Sequence, residues 1–121
     1  MAWNFNNREP VFMQIANRLR ADVVIGKYAA DEQFPSVRQI ACEAAVNPNT
    51  VQRALSALEG EGLLCSRGTV GRFVTSDTEI ISAARERIRR DVVKSFLLEA
   101  KTLGINADEL IKYIKEEEDN E

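Results

Sequence analysis

Phe34-Pro35-Ser36-Val37-Arg38-Gln39-Ile40-Ala41, then Val46-Asn47-Pro48-Asn49-Thr50-Val51-Gln52-Arg53-Ala54-Leu55, then Gly68-Thr69-Val70-Gly71-Arg72-Phe73-Val74 is the stretch that decides the fold. Ser36 and Gln39 form an S-x-x-Q capping box that starts a short helix, with Val37, Ile40 and Ala41 inward and an end near Ala44. Asn47 is a good N-cap, and Pro48 sits where proline begins a helix at least cost. This next helix continues to about Glu59, and Gly60 and Gly62 close it. Leu63 to Arg67 and Arg72 to Thr75 have strand character, joined by a glycine-tipped turn. Helix, tight turn, helix and basic β-ribbon make a winged helix-turn-helix, a shape that fits a DNA groove.

The segments on either side extend this reading. From Pro10 to Ile25, Val11, Ile15, Leu19 and Val23 recur every four residues, which predicts a first helix with one buried stripe. Gly26 ends it, and Ala29 to Phe34 returns the chain. Trp3 and Phe5 are expected to pack on the domain or on a partner subunit. After Asp77 the pattern changes: Ile81, Ala84, Ile88, Val92, Phe96, Ala100 and Leu103 predict a helix of ~25 residues, or ~38 Å. Gly104 breaks it, and Asn106 or Asp108 can cap a last short helix holding Leu110, Ile111 and Ile114. The expected class is mainly α with a small β-wing. Residues 1–76 form the winged helix-turn-helix domain and residues 77–121 a two-helix tail. The long apolar stripe exceeds what a small domain needs to cover itself. Ile81, Ile88, Val92, Phe96 and Leu103 are therefore expected to form a dimerisation surface.

Composition bounds the function. The 121 residues suit one compact domain plus an appendage. A net charge of −3 is unusual for a nucleic-acid reader, but it is unevenly spread. Residues 1–76 carry eight Lys/Arg against seven Asp/Glu, and residues 77–121 carry eight against twelve. A weakly basic front half implies modest non-specific DNA affinity, so specific binding depends on a few placed cations and on dimerisation. No apolar run approaches the ~20 residues of a membrane span and no leader opens the chain, so a cytoplasmic protein without membrane association is expected. There is no histidine, and Cys42 and Cys65 lack metal-ligand spacing, so no metal or cofactor is expected. The simplest reading of both cysteines is as small core residues.

With Val51 at the inward centre of the third helix, Ala54, Leu55 and Leu58 fall within about 60° of it at 100° per residue. Asn49, Arg53 and Ser56 then face outward, flanked by Gln52 on one side and by Thr50 and Ala57 on the other. Amide, guanidinium, hydroxyl and methyl groups are the chemistry that reads base edges. Arg38, two residues into the second helix, either meets DNA or forms a surface ion pair with Glu43 or Asp31. Arg67, Thr69 and Arg72 flank the wing turn, where Gly68 permits close backbone approach to phosphate or the minor-groove floor. The competing reading is a winged-helix protein-interaction module, which would carry an apolar patch on the third helix where this chain has Arg53. No nucleophile–base pair or phosphate-binding loop supports an enzyme.

On the Pro10-to-Ile15 opening, Phe34-Pro35-Ser36-Val37-Arg38, Thr50-Val51, Ala54-Leu55, Leu58, Gly62 and Gly68-to-Val74, the chain resembles the GntR family of bacterial winged-helix regulators. Asn47 to Arg53 with a short two-helix tail looks like its YtrA subfamily. The resemblance implies DNA contacts from Arg38, Asn49, Thr50, Gln52, Arg53 and the wing around Gly68. It also implies a homodimer assembled through the tail and repression of nearby operons, often for transporters. Two departures from the family pattern matter. Pro48 and Gln52 stand where other branches place arginines, so those branches' base-contact rules do not transfer. Ala30-Asp31 stands where Pro-Gly is usual, and aspartate is among the residues that tolerate a left-handed backbone. The 45 residues after Ser76 are too few to enclose a ligand pocket within one subunit; an effector remains unassigned.

Overall fold

A computed structural model describes residues 2–121. Its elements in order are α1 (Val11–Val24), α2 (Val37–Ala44), α3 (Pro48–Gly60), β1 (Leu64–Arg67), β2 (Gly71–Val74), α4 (Thr78–Thr102) and α5 (Ala107–Asp119). They fall into two compact units, Met1–Arg85 and Glu86–Glu121, with α4 running through the boundary.

The first unit is built on a three-helix core. Ile15, Leu19 and Val23 of α1, Ile40 and Ala44 of α2, and Val51, Leu55 and Leu58 of α3 are buried, and Phe34, Leu64 and Val74 extend the core toward the ribbon. The expected capping box is present: the Ser36 hydroxyl accepts from the Gln39 amide, and the Gln39 side chain accepts from the Ser36 amide. Asn47 caps α3 through the Asn49 amide at 2.8 Å, with Pro48 in the first turn. β1 and β2 pair antiparallel in register Leu64–Val74 to Arg67–Gly71.

A third extended segment, unforeseen in the sequence, lies beside β2. The Phe34 amide donates to Arg72 O at 2.8 Å, the Val74 amide to Glu32 O at 2.9 Å, and Gln33 forms a bridge with Phe73. The wing is thus anchored along its second strand. Asp31 opens this segment at φ 70, in the left-handed region that aspartate tolerates better than most residues.

Two readings need correction. Ile81, expected on the dimer stripe, is only 7% exposed and belongs to the core of the first unit. The first turns of α4 pack there with Ala84, and Ile80 lies beside Gly62, 3.5 Å from where a Cβ would stand. Cys42 is exposed and Cys65 half-buried. Ile40, Ala41 and Ala44 take the inward stripe of α2, which turns Cys42 to solvent.

In the second unit, the remainder of α4 and α5 are joined by a turn at Gly104. The Ile105 amide donates back to Ala100 O at 3.0 Å, and Asn106 and Glu109 form a second capping box. Ala100 is buried, while Val92, Phe96, Leu98, Leu103 and Ile111 are each more than half exposed.

Between α2 and α3 the chain turns through Ala45 at φ 59, with the Val46 amide donating to Ala41 O at 3.1 Å. Glycines take the equivalent positive φ after α1, α3 and α4. An alanine there has a strain of roughly 1–2 kcal/mol, partly offset because glycine loses more freedom on folding. Ala45→Gly should therefore stabilise the protein by about 0.5–1 kcal/mol in urea unfolding; a loss of stability would mean that Ala45 has a packing role its exposure does not suggest.

Candidate nucleic-acid interface

α3 presents the face that its periodicity dictates. Val51, Ala54, Leu55 and Leu58 are inaccessible to solvent, whereas Asn49, Gln52, Arg53 and Ser56 are exposed and Thr50 is half-buried. Among the described residues, none of the exposed large hydrophobic side chains lies on this helix. Its surface consists of amide, hydroxyl and guanidinium groups, which hydrogen-bond but do not drive apolar docking.

The Arg53 guanidinium lies 3.7 Å from the ring centroid of Phe12 on α1. The planar cation on the ring face restricts the rotamers of a long side chain while leaving its N–H edge available. Periodicity placed Arg53 outward, but this partner was not legible because Phe12 lies on a different helix, forty-one residues earlier in the chain.

Arg38 is exposed in the first turn of α2, and no ion pair holds it among the described residues. Neither expected partner, Glu43 or Asp31, engages it. Around it the first-turn amides of Val37 and Arg38 have no acceptor within the helix, so they add positive potential. A shallow cleft of about 210 Å³ separates this helix start from the wing; Ser36, Ser66, Gly68 and Arg72 are among its lining residues.

The wing turn spans Gly68 to Val70, with the Val70 amide donating to Arg67 O at 3.1 Å and the Gln33 side chain donating to Val70 O at 2.9 Å. Gly68 adopts φ +55 with open space where a Cβ would point, and Thr69 is exposed at the tip. Arg67 pairs with Asp31 and lies 4.2 Å from the Phe73 ring centroid, yet keeps 42% of its side chain exposed. Arg72 is only 17% exposed and pairs with Glu59 of α3, which also accepts from the Ser66 hydroxyl at 3.0 Å. Arg72 thus ties the ribbon to the end of α3. The sequence reading missed this role of Glu59, since a glutamate at a helix end carries no signal of a partner thirteen residues away.

The Arg72 hydrogen bond, reinforced by Ser66 and opposed by burial, holds the Glu59 carboxyl below its ordinary range. A depressed folded-state value contributes stability above the ordinary glutamate pKa that is lost as pH falls through the folded one. Glu59→Gln should cost about 1 kcal/mol at neutral pH, a charged hydrogen bond discounted for partial exposure. Wild type and variant should converge in stability as the solution is acidified below the glutamate range. A gap independent of pH in paired urea titrations would show that the carboxylate charge is not what holds the wing.

Comparisons with known proteins agree with this geometry. The profile of bacterial regulatory proteins of the gntR family matches residues 13–74. The HTH-type transcriptional regulator YhcF of Bacillus subtilis (strain 168) is 32% identical over 111 residues, covering 92% of each chain. The HTH-type transcriptional repressor YtrA of the same organism is 27% identical over 109 residues, covering 88% of this chain and 83% of its own length. Among solved structures, a GntR family transcriptional regulator from Listeria monocytogenes superposes with a TM-score of 0.87 at 30% identity, over 93% of this chain and 98% of its own.

Proposed function

The chain belongs to the GntR family of bacterial regulatory proteins, and from that premise we propose that it is a homodimeric repressor of a pseudo-palindromic operator. It is a DNA-binding transcriptional regulator and not an enzyme. The observation that carries it is the polar, cation-centred face of α3, flanked by an unpaired Arg38 and a braced wing.

In this reading residues 1–76 bind DNA. Asn49, Gln52, Arg53 and Ser56, with Thr50 at the flank, read base edges in the major groove. Arg38 and the α2 amides hold phosphate, and Arg67, Gly68 and Thr69 approach the backbone or minor groove from the wing. Arg72 supports these contacts by fixing the ribbon. The interaction-module alternative is disfavoured by the lack of an apolar patch on α3 among the described residues.

Residues 77–121 assemble the dimer. Val92 and Phe96 are 63% and 51% exposed, and Leu103 and Ile111 add to an apolar surface larger than a soluble monomer usually leaves wet. Ile88, half-buried, borders it; Ile81 takes no part. Two-fold pairing of this surface sets two α3 helices about 34 Å or a multiple apart, one DNA turn per half-site step. Tethering two weakly basic domains offsets the modest affinity of each. Among the described residues, no helix is long and apolar enough to cross a membrane. Action in the cytoplasm follows from the DNA target. Repression is supported by the likeness to YtrA, a named repressor; a transporter operon as target rests only on the subfamily resemblance of the sequence.

Two variants separate reading from assembly. Val92→Asp with Phe96→Asp should sediment as a monomer and bind DNA from the gene's own upstream region roughly 100-fold more weakly. Arg53→Ala should remain dimeric but lose roughly 1–3 kcal/mol of binding and relax preference at one base position. A dimeric double-aspartate protein, or an Arg53 variant with wild-type affinity, would contradict the corresponding half of the proposal.

A further inference from the structure

Within the first unit, away from α2, α3 and the wing, a cleft of about 460 Å³ is lined by the end of α1, the segment Tyr28 to Ala30 and the first turns of α4 up to Arg85. No step of DNA recognition uses it. The cleft is open to solvent on one side, with buried Val23 and Ile81 as its apolar floor and a few polar groups at its rim.

Arg85 is the charged group at one end. It is half-buried, and its Nε donates to Val24 O at 2.6 Å, one of the carbonyls that α1 leaves open at its C-terminus. Guanidinium has five N–H donors in a planar fork, and no other partner engages them among the described residues. Tyr28 packs its ring on Phe34 at 4.8 Å, and its ionisation is pushed upward chiefly by burial, so its hydroxyl is neutral. Thr78 and Ser82 add two hydroxyls. Glu79 lies six residues before Arg85, or about 9 Å along α4, and places negative charge at the opposite end.

This polarity selects a ligand class. A single carboxylate matches the planar fork of Arg85, and a compact apolar body matches Val23, Ala29 and Ile81. A dianion, or a molecule with acids at both ends, would meet Glu79. We propose that the cleft binds a small organic monocarboxylate and is the effector site of the regulator; the regulatory role rests on the function proposed above, whereas the binding does not. Arg85 sits on the helix that continues into the second unit, so a carboxylate that draws its fork from Val24 acts on the connection between the DNA-binding unit and the tail.

The test is an amide-resonance titration of the full-length protein with a panel of C5 to C10 monocarboxylates, benzoate included, each beside its uncharged amide. At least one acid should shift Ala29, Ala30, Thr78 and Ser82 saturably while its amide does not. Arg85→Gln keeps a donor for Val24 O but removes the charge, and should weaken that acid at least about tenfold with the remaining spectrum unchanged. Ser82→Ala, which leaves Arg85 in place, should weaken it less. Absence of any such shift across the panel, equal binding of acid and amide, or full binding by the Arg85→Gln protein would overturn the site. The same acid should change the affinity of the protein for its upstream DNA; binding in the cleft with no such change would overturn the effector role. Failure of the ligand-free protein to bind DNA would count against the regulator itself and not against the cleft.

Discussion

Val51, Ala54, Leu55 and Leu58 are fully closed to solvent, and the burial of this one stripe fixes the direction of every other side chain on α3. Burying each large side chain contributes roughly 1.5–3 kcal/mol, so turning the helix by one residue would expose more apolar surface than any polar contact could offset. The outward array of Asn49, Gln52, Arg53 and Ser56 is therefore a consequence of the core. The Asn47 cap and Pro48 add the start point, and Phe12 of α1 adds a rest for the central arginine.

The wing depends on a second constraint, its attachment to that helix. A two-stranded ribbon is marginal alone. Here it gains a third extended segment through Glu32 and Phe34, and ion pairs from Arg72 to Glu59 and from Arg67 to Asp31. Two of the four arginines that a sequence reader would assign to DNA thus carry internal partners. The weak net charge of the front half becomes intelligible: several of its acids brace cations, and of the four arginines on α2, α3 and the wing, Arg38 and Arg53 have no carboxylate partner among the described residues.

Features set by local rules were legible in the sequence. The Ser36 capping box, the Pro48 start, the α3 stripe and the break at Gly104 each follow from neighbours within a few residues, and Asn106 proved to be the cap of the two candidates read for the last helix. Contacts between distant segments were not. Glu59 with Arg72, Arg53 with Phe12, and the strand-like run before Phe34 join positions whose pairing depends on tertiary approach. Ile81 shows the same limit: an unbroken heptad-like stripe cannot reveal where one partner surface ends and another begins. The left-handed Ala45 was invisible for a related reason, because a residue poorly suited to a conformation gives no sign that it adopts it.

The central claim is that the buried stripe of α3 aims its opposite face at DNA. It is tested most directly by titrating isotope-labelled protein with a duplex carrying its selected half-site and following every backbone and arginine side-chain resonance. The account predicts the largest perturbations at Arg38, Asn49 to Arg53, Ser56 and Gly68 to Val70, with the Arg53 side chain among the strongest. Perturbations concentrated instead on the basic run from Arg85 to Lys94, with α3 unaffected, would contradict it.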